Sequence, residues 1–323
     1  MKAIVQHRYG STDTLRLEDI EQPSPGDDDV LVNVKAAGVD AGVWHLMTGR
    51  PTLVRLFAGI RAPKIRVRGY DLAGTVSTVG RNVTRFVPGD EVFGTSPSGS
   101  YAEFTSTTEK RLVSKPASLT FEQASAVPVS SCAALHALRD VGKVQAGQHV
   151  LIIGAGGGVG SFAVQLAKAF GATVTGVCST GKVDLVRSLG ADHVVDYTRD
   201  DFAAGGRRYD LILDIASQDS LSRLRGVLAH RGMLVIVGGE GGGRIFGGLR
   251  RQLRASLWSI FIPQRMRSYL SSEHAVDLAV VAALIEAGSV TPAIERTYPL
   301  SEAAEAIDRQ HAGHVAGKLV LVI

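Results

Sequence analysis

The apolar run Val150-Leu-Ile-Ile153 leads straight into Gly154-Ala-Gly-Gly-Gly-Val-Gly160, and Phe162, Val164, Leu166 and Phe170 then recur at helical spacing. Nothing else in the chain restricts its fold as strongly. A buried strand that ends in a glycine turn and opens a helix leaves no Cβ where the backbone approaches a ligand, and it aims free N–H groups at negative charge. A second strand predicted over Thr173–Val177 completes a β-α-β unit. The turn Ala155, Gly156, Gly157, Gly158, Val159 and Gly160 is therefore expected to hold the pyrophosphate of a dinucleotide. Val150 to Ala167 is 18 residues without a charge, close to the length of a bilayer span. The glycines interrupt it after four apolar residues, which fits strand, turn and helix and excludes one continuous membrane helix.

The end of the second strand decides which dinucleotide. An NAD site places an acidic residue about 20 positions on, to hold the ribose 2′-hydroxyl. No Asp or Glu occurs from Ser161 to Val183, and the strand runs out through Val177-Cys-Ser-Thr-Gly-Lys182. The hydroxyls of Ser179 and Thr180 and the ammonium of Lys182 suit a 2′-phosphate. NADP(H) is the expected cofactor, the alternative being that Ser179 and Thr180 only cap the helix predicted from Val183.

Around this unit the chain divides in two. Up to about residue 115, short β-branched runs such as Val30-Leu-Val-Asn-Val34 and Gly74-Thr-Val-Ser-Thr-Val79 alternate with turn signals. From about 120, strand and helix alternate: a helix over Phe121–Leu138, strands at His149–Ile153, His193–Asp196, Tyr209–Asp214 and Met233–Val237, and helices at Gly160–Phe170, Val183–Leu189 and Ser220–Leu228. That alternation predicts a parallel, doubly wound sheet. A glycine cluster from Gly238 to Gly248 and the basic, apolar stretch Leu249–Leu270 follow, and Gly238 is counted with the cofactor-binding residues. Hydrophobic residues are 45% of the 323 and charged residues 20%, enough to bury a core and to exclude disorder. The formal charge of +4 comes from scattered basic residues, which suits an anionic small ligand and argues against nucleic acid. Two isolated cysteines, Cys132 and Cys178, supply neither a disulfide framework nor a thiolate cluster, so a reducing cytoplasm is expected. The start, Met1 to Arg8, lacks the apolar core of a signal peptide; neither span nor membrane partner is expected.

Taken together, these motifs resemble the medium-chain dehydrogenase/reductase superfamily and, within it, the zinc-free quinone oxidoreductase-like branch related to zeta-crystallin. The resemblance rests on Pro25-Gly26, Ala36-Ala-Gly-Val39, Gly69-Tyr-Asp-Leu-Ala-Gly74, Gly89-Asp90, Ala155 to Gly160, Gly190-Ala-Asp-His-Val-Val-Asp-Tyr197 and Gly313-His-Val-Ala-Gly-Lys318. It implies an α/β fold: a GroES-like β-barrel catalytic domain from 1–120 and 265–323, a Rossmann NADP-binding domain from 121–264, and an active site in the cleft. It also places Lys182 and Tyr197 near the NADP phosphate and implies a homodimer, expected near Leu257–Ile262.

Zinc-dependent relatives carry Cys, His with an adjacent Glu, and a second Cys. At the matching places this chain has Asp40, Tyr70-Asp71 and a thiol-free stretch near Val129, so no catalytic zinc is expected. Without that Lewis acid, hydride transfer to an electron-poor quinone or conjugated enone needs less help than alcohol oxidation. The expected activity is thus NADPH-dependent reduction of a small hydrophobic carbonyl or quinone. Asp40, His45 and Tyr70 are the candidate catalytic groups, although Asp40-Ala-Gly-Val43 departs from the branch's Asn-Pro-x-Asp. His45 can serve as a proton relay or sit as a structural histidine; Tyr70 can donate to substrate or simply pack. The apolar, basic segment Leu53–Arg68 reads either as a cover for the acceptor or as a solvated loop. Two alternatives stay open: an NADP(H)-dependent alcohol dehydrogenase or enoyl reductase, and an NADPH-sensing or RNA-binding protein without turnover.

Overall fold

The computed structural model of the chain describes residues 1–217, 219–237, 248–259, 262–269 and 271–323. Strands β1 (Lys2–Gln6), β2 (Leu15–Asp19) and β3 (Asp29–Val39) come first, then helices α1 (Ala41–Thr48) and α2 (Arg55–Ala58). β4 (Asp71–Val79), β5 (Glu91–Thr95), β6 (Phe104–Thr108) and β7 (Leu112–Ser114) precede helices α3 (Phe121–Ser125) and α4 (Pro128–Leu135). The alternating region holds β8 (His149–Ile153), α5 (Gly158–Ala169), β9 (Thr173–Cys178), α6 (Val183–Ser188), β10 (His193–Asp196), β11 (Tyr209–Asp214), α7 (Leu221–Val227), β12 (Leu228–Ile236), α8 (Leu249–Trp258) and β13 (Arg265–Ser268). The chain closes with α9 (Ala275–Glu286), β14 (Ile294–Pro299), α10 (Ala303–His311) and β15 (Lys318–Val322).

Contacts gather these elements into two units, Met1–Cys132 with Ser272–Ala287 and Pro292–Ile323, and Ala133–Ser271 with Gly288–Thr291. In the first, a largely antiparallel sheet runs β14-β15-β3-β4-β5-β7, with β6 also on β3. The β-branched run Val30–Val34 lies within a longer strand, although Ala36-Ala37-Gly38 is a poor strand sequence. Pairing on both sides carries it to Val39: Ala36 lies opposite Ala73 on β4 and Val322 on β15. Val30, Val32, Val34, Leu72, Val76 and Val92 fill the core under it.

In the second unit, the order is β10-β9-β8-β11-β12-β13, every neighbour parallel. This is the doubly wound order, with its switch point between β8 and β11. Val150, Leu151, Ile152 and Ile153 are buried because helices cover both faces of such a sheet.

Three expectations change. The helix read over Phe121–Leu138 is split into α3, α4 and a π turn at His136–Val141, since Pro128 cannot continue α3. α3 packs on β3 and β4, so 121–132 joins the first unit rather than the second. β13 pairs with β12, so 265–271 belongs to the parallel-sheet unit.

Candidate functional sites

In the parallel-sheet unit the site begins where β8 ends. Gly154 has φ +90°, a conformation open to glycine, and its amide and that of Ala155 both donate to Val177 O at 3.0 Å. Gly160 lets α5 close on the turn, because a Cβ there would stand 2.1 Å from Gly154 O. Gly157 is different: nothing comes nearer than 3.6 Å to its Cβ position. It is the N-cap of α5, and no side chain caps that helix. The Cβ position at 157 thus opens on free space beside the uncapped start of α5, with the positive helix end behind it, a cradle that a side chain at 157 would fill. These residues fit the pyrophosphate of a nicotinamide dinucleotide.

The strand-end residues come to the same place. A Cβ at Gly156 would stand 2.8 Å from Lys182 Cβ and 2.9 Å from Lys182 Cδ, so the lysine stem lies on the glycine turn. Ser179 caps a 3-10 turn, Thr180–Lys182, whose last amide donates to its carbonyl at 2.9 Å. Thr180 is committed elsewhere: its hydroxyl donates to Asp196 Oδ2 at 2.6 Å and sits 2.9 Å from Thr198 Oγ1. Tyr197 is exposed, its amide bonded to Cys178 O at 3.0 Å. Gly238 lies outside the described residues.

Asp196 was missed by reading the second strand alone. Parallel pairing of β10 with β9 sets it opposite Cys178, so an acid absent from the second strand arrives on the third. The hydroxyl of Thr180, followed by that of Thr198, holds the Asp196 carboxyl below the ordinary carboxylate range. Its other oxygen accepts from Thr198 N at 3.0 Å and Thr198 Oγ1 at 2.8 Å. This carboxylate is largely buried and accepts three hydrogen bonds from within the chain.

The first unit contains a second polar centre. Asp40, 9% exposed, precedes α1, yet its side chain makes no cap bond to that helix. Its Oδ1 instead accepts from Lys318 Nζ, at the start of β15. The same ammonium, 2% exposed, reaches Ser130 Oγ at 3.1 Å and Asp71 Oδ2 at 3.4 Å. Asp71 Oδ1 takes the amide of Val129 at 2.9 Å. Burial, and then the Asp40 charge, push the Asp71 carboxyl well above its usual range. Burial alone would lower Lys318, but Asp40 and Asp71 outweigh it and hold the ammonium above its ordinary value.

The other two candidates have hydrogen-bond partners of their own. Tyr70 accepts from Arg111 Nη1 at 2.8 Å, and burial, with Glu273 adding to it, raises its phenol so that it stays protonated at neutral pH. His45, in the last turn of α1, donates Nδ1–H to Arg50 O at 3.0 Å. The sequence reading missed Lys318, whose only signal was a basic residue opening an otherwise apolar terminal strand.

A glycine-lined, uncapped helix start after the first strand of a doubly wound sheet, carried in one chain with a GroES-like unit, defines a nicotinamide-dependent oxidoreductase. Residues 26–117 match the family described as alcohol dehydrogenase GroES-like domain, and residues 189–321 that described as zinc-binding dehydrogenase. A chloroplastic quinone-oxidoreductase of Triphysaria versicolor is 31% identical over 340 residues, covering 99% of this chain and 98% of its own. An Arabidopsis thaliana chloroplastic NADPH-dependent alkenal/one oxidoreductase is 32% identical over 335 residues, covering 99% and 79%. The solved quinone oxidoreductase of Coxiella burnetii superposes with a TM-score of 0.86 at 27% identity over 100% of this chain and 99% of that one. The chain belongs to the medium-chain dehydrogenase/reductase superfamily, in its quinone oxidoreductase branch.

One of those family descriptions implies zinc, and the donor set does not fit it. Asp40 and Asp71 already share an ammonium, and Cys132 is buried, which pushes its thiol far from the thiolate a metal needs. Among the described residues no group of three or more His, Cys, Asp or Glu could hold a metal ion.

Proposed function

We propose that the chain is an NADPH-dependent reductase of quinones and conjugated enones that works without zinc. The observation that carries the cofactor choice is the Lys182 stem lying on Gly156, which sets this residue, just past the end of β9, against the glycine turn. Ser179 and Tyr197 complete the set proposed for the 2′-phosphate; the engaged carboxylate of Asp196 removes the usual argument for NAD. When bound, NADPH supplies the hydride. The turn 154–160 holds the pyrophosphate through its amides, and the α5 dipole stabilises the charge.

On the acceptor side, Lys318 bonds both Asp40 and Asp71, so this acidic pair is held from within the chain. Tyr70, kept as a phenol with Arg111 on its oxygen, and His45, with Nδ1–H fixed on a carbonyl, are the groups proposed to face the acceptor. The names of the quinone and alkenal/one reductases support an electron-poor acceptor. We assign the protein to a reducing compartment, which its two free, buried cysteines favour, and to a homodimer, which exposed Leu253 and Leu257 on α8 beside the edge strand β13 favour.

The test is NADPH consumption by the purified chain against panels of quinones, enones and simple alcohols. Turnover with quinones or enones is expected. Turnover confined to alcohols with NADP+ would contradict the reading.

A further inference from the structure

Between Asp40 and Asp71 the chain carries no acidic residue: residues 41–70 hold Arg50, Arg55, Arg61, Lys64, Arg66 and Arg68 and no Asp or Glu. Arg55 and Arg68 turn inward. Arg55 donates to Gly49 O at 3.1 Å and lies 4.5 Å from the centre of the Tyr9 ring, while Arg68 is buried. Arg61, Lys64 and Arg66 stay exposed. Among them stand apolar side chains that the unit leaves uncovered: Phe57 is 84% exposed, Ile60 72% and Leu56 62%.

This segment is built to hold that shape. Tyr9 Oη donates to Gly59 O at 2.5 Å, Lys64 N to Ala58 O at 2.8 Å and Gln6 N to Arg66 O at 2.9 Å. Gly59, at φ +119°, turns the chain where a Cβ would stand 2.1 Å from Ala62 O. The loop is thus closed on itself, tied to Tyr9 at Gly59 and to β1 at Arg66, with its apolar tips outward. Uncovered apolar side chains ringed by a single sign of charge mark an interaction surface.

We propose that the segment Arg55–Arg66 docks on an anionic phospholipid surface, its apolar tips entering the headgroup boundary while Arg61, Lys64 and Arg66 meet lipid phosphates. Charge complementarity commits it to that partner: every exposed charge of the segment is positive and the chain as a whole is +4, so an anionic surface attracts it before contact. Leu56, Phe57 and Ile60 supply the apolar anchor that a purely electrostatic contact lacks. No described helix is long and apolar enough to cross a membrane, so the contact is peripheral. The expectation of no membrane partner rests on the lack of a span, which does not bear on a peripheral contact.

The experiment is co-sedimentation of the full chain with vesicles of phosphatidylcholine alone or mixed with phosphatidylglycerol, at low and high salt. The chain is expected to bind mixed vesicles at least about tenfold better than neutral ones, and to lose the margin at high salt. Phe57→Glu with Ile60→Glu should abolish binding while NADPH affinity, read separately, stays unchanged. Val276→Glu, an equally exposed apolar site on α9, should bind as the native chain does. Equal binding to both vesicle types, no binding, or full binding by the double variant would overturn the proposal. So would light scattering in which the double variant disperses a lipid-free oligomer, because the patch would then join copies of the chain. None of these readouts depends on catalysis, so the proposal and the reductase reading fail separately.

Discussion

Lys182 lays its side-chain stem across the backbone of Gly156, at 2.8 Å from Cβ to the position a glycine-to-alanine change would fill. A residue beyond the end of β9 is thereby fixed against the turn that follows β8. A Cβ at 156 would displace the lysine, so Gly156→Ala should weaken NADPH more than NADH, which a paired titration would show.

The glycines at 157 and 160 should separate folding from binding. At 160 a Cβ meets Gly154 O, a main-chain atom that cannot yield cheaply, so Gly160→Ala should cost about 1–3 kcal/mol in denaturant unfolding. At 157 a Cβ meets nothing within 3.5 Å, so Gly157→Ala should leave stability nearly unchanged while weakening NADPH at least about tenfold, about 1.4 kcal/mol. Equal stability losses in the two variants would contradict the assignment of the open side.

Removing the buried ammonium leaves two carboxylates without their cation. Lys318→Met should cost about 3–5 kcal/mol near neutral pH. The sign with pH follows from proton counts. Asp71, already raised in the native chain by burial, loses the ammonium that opposes the rise, so its folded state binds still more protons than the unfolded one and the variant loses more stability than the native chain as pH rises through and above the ordinary carboxylate range. In the native chain Lys318 is itself raised, so its contribution is complete below pH 10.5 and is lost as pH climbs through its folded value. Denaturant midpoints across the pH range check both limbs; a variant deficit that shrinks on going from acid to neutral would contradict them.

Chelation should change neither turnover nor thermal midpoint, because the Asp40 and Asp71 carboxylates are already paired. Activity lost on dialysis against chelator and restored by added zinc would show that a metal displaces Lys318.

Local signals made the cofactor turn legible. Apolar residues, glycines and helix spacing are adjacent in sequence, and each alone restricts the backbone. Asp196 was not legible, because it reaches the second strand's end only through the register of β10 on β9. Nor was the lysine that Asp40 and Asp71 share, since Lys318 lies 278 and 247 positions away and meets them only when β15 pairs with β3. The helix over Phe121–Leu138 is broken for a local reason, Pro128, which cannot continue α3. The exposed face of α2 was visible as composition; its exposure was not, because burial is decided by tertiary packing.

The most direct test of the account is the affinity of the native chain and of Lys182→Ala for NADPH and NADH, measured side by side by fluorescence titration. The native chain should favour NADPH at least about tenfold, about 1.4 kcal/mol, and the variant should lose that margin through NADPH alone. Equal affinities in the native chain, or an unchanged margin in the variant, would contradict it.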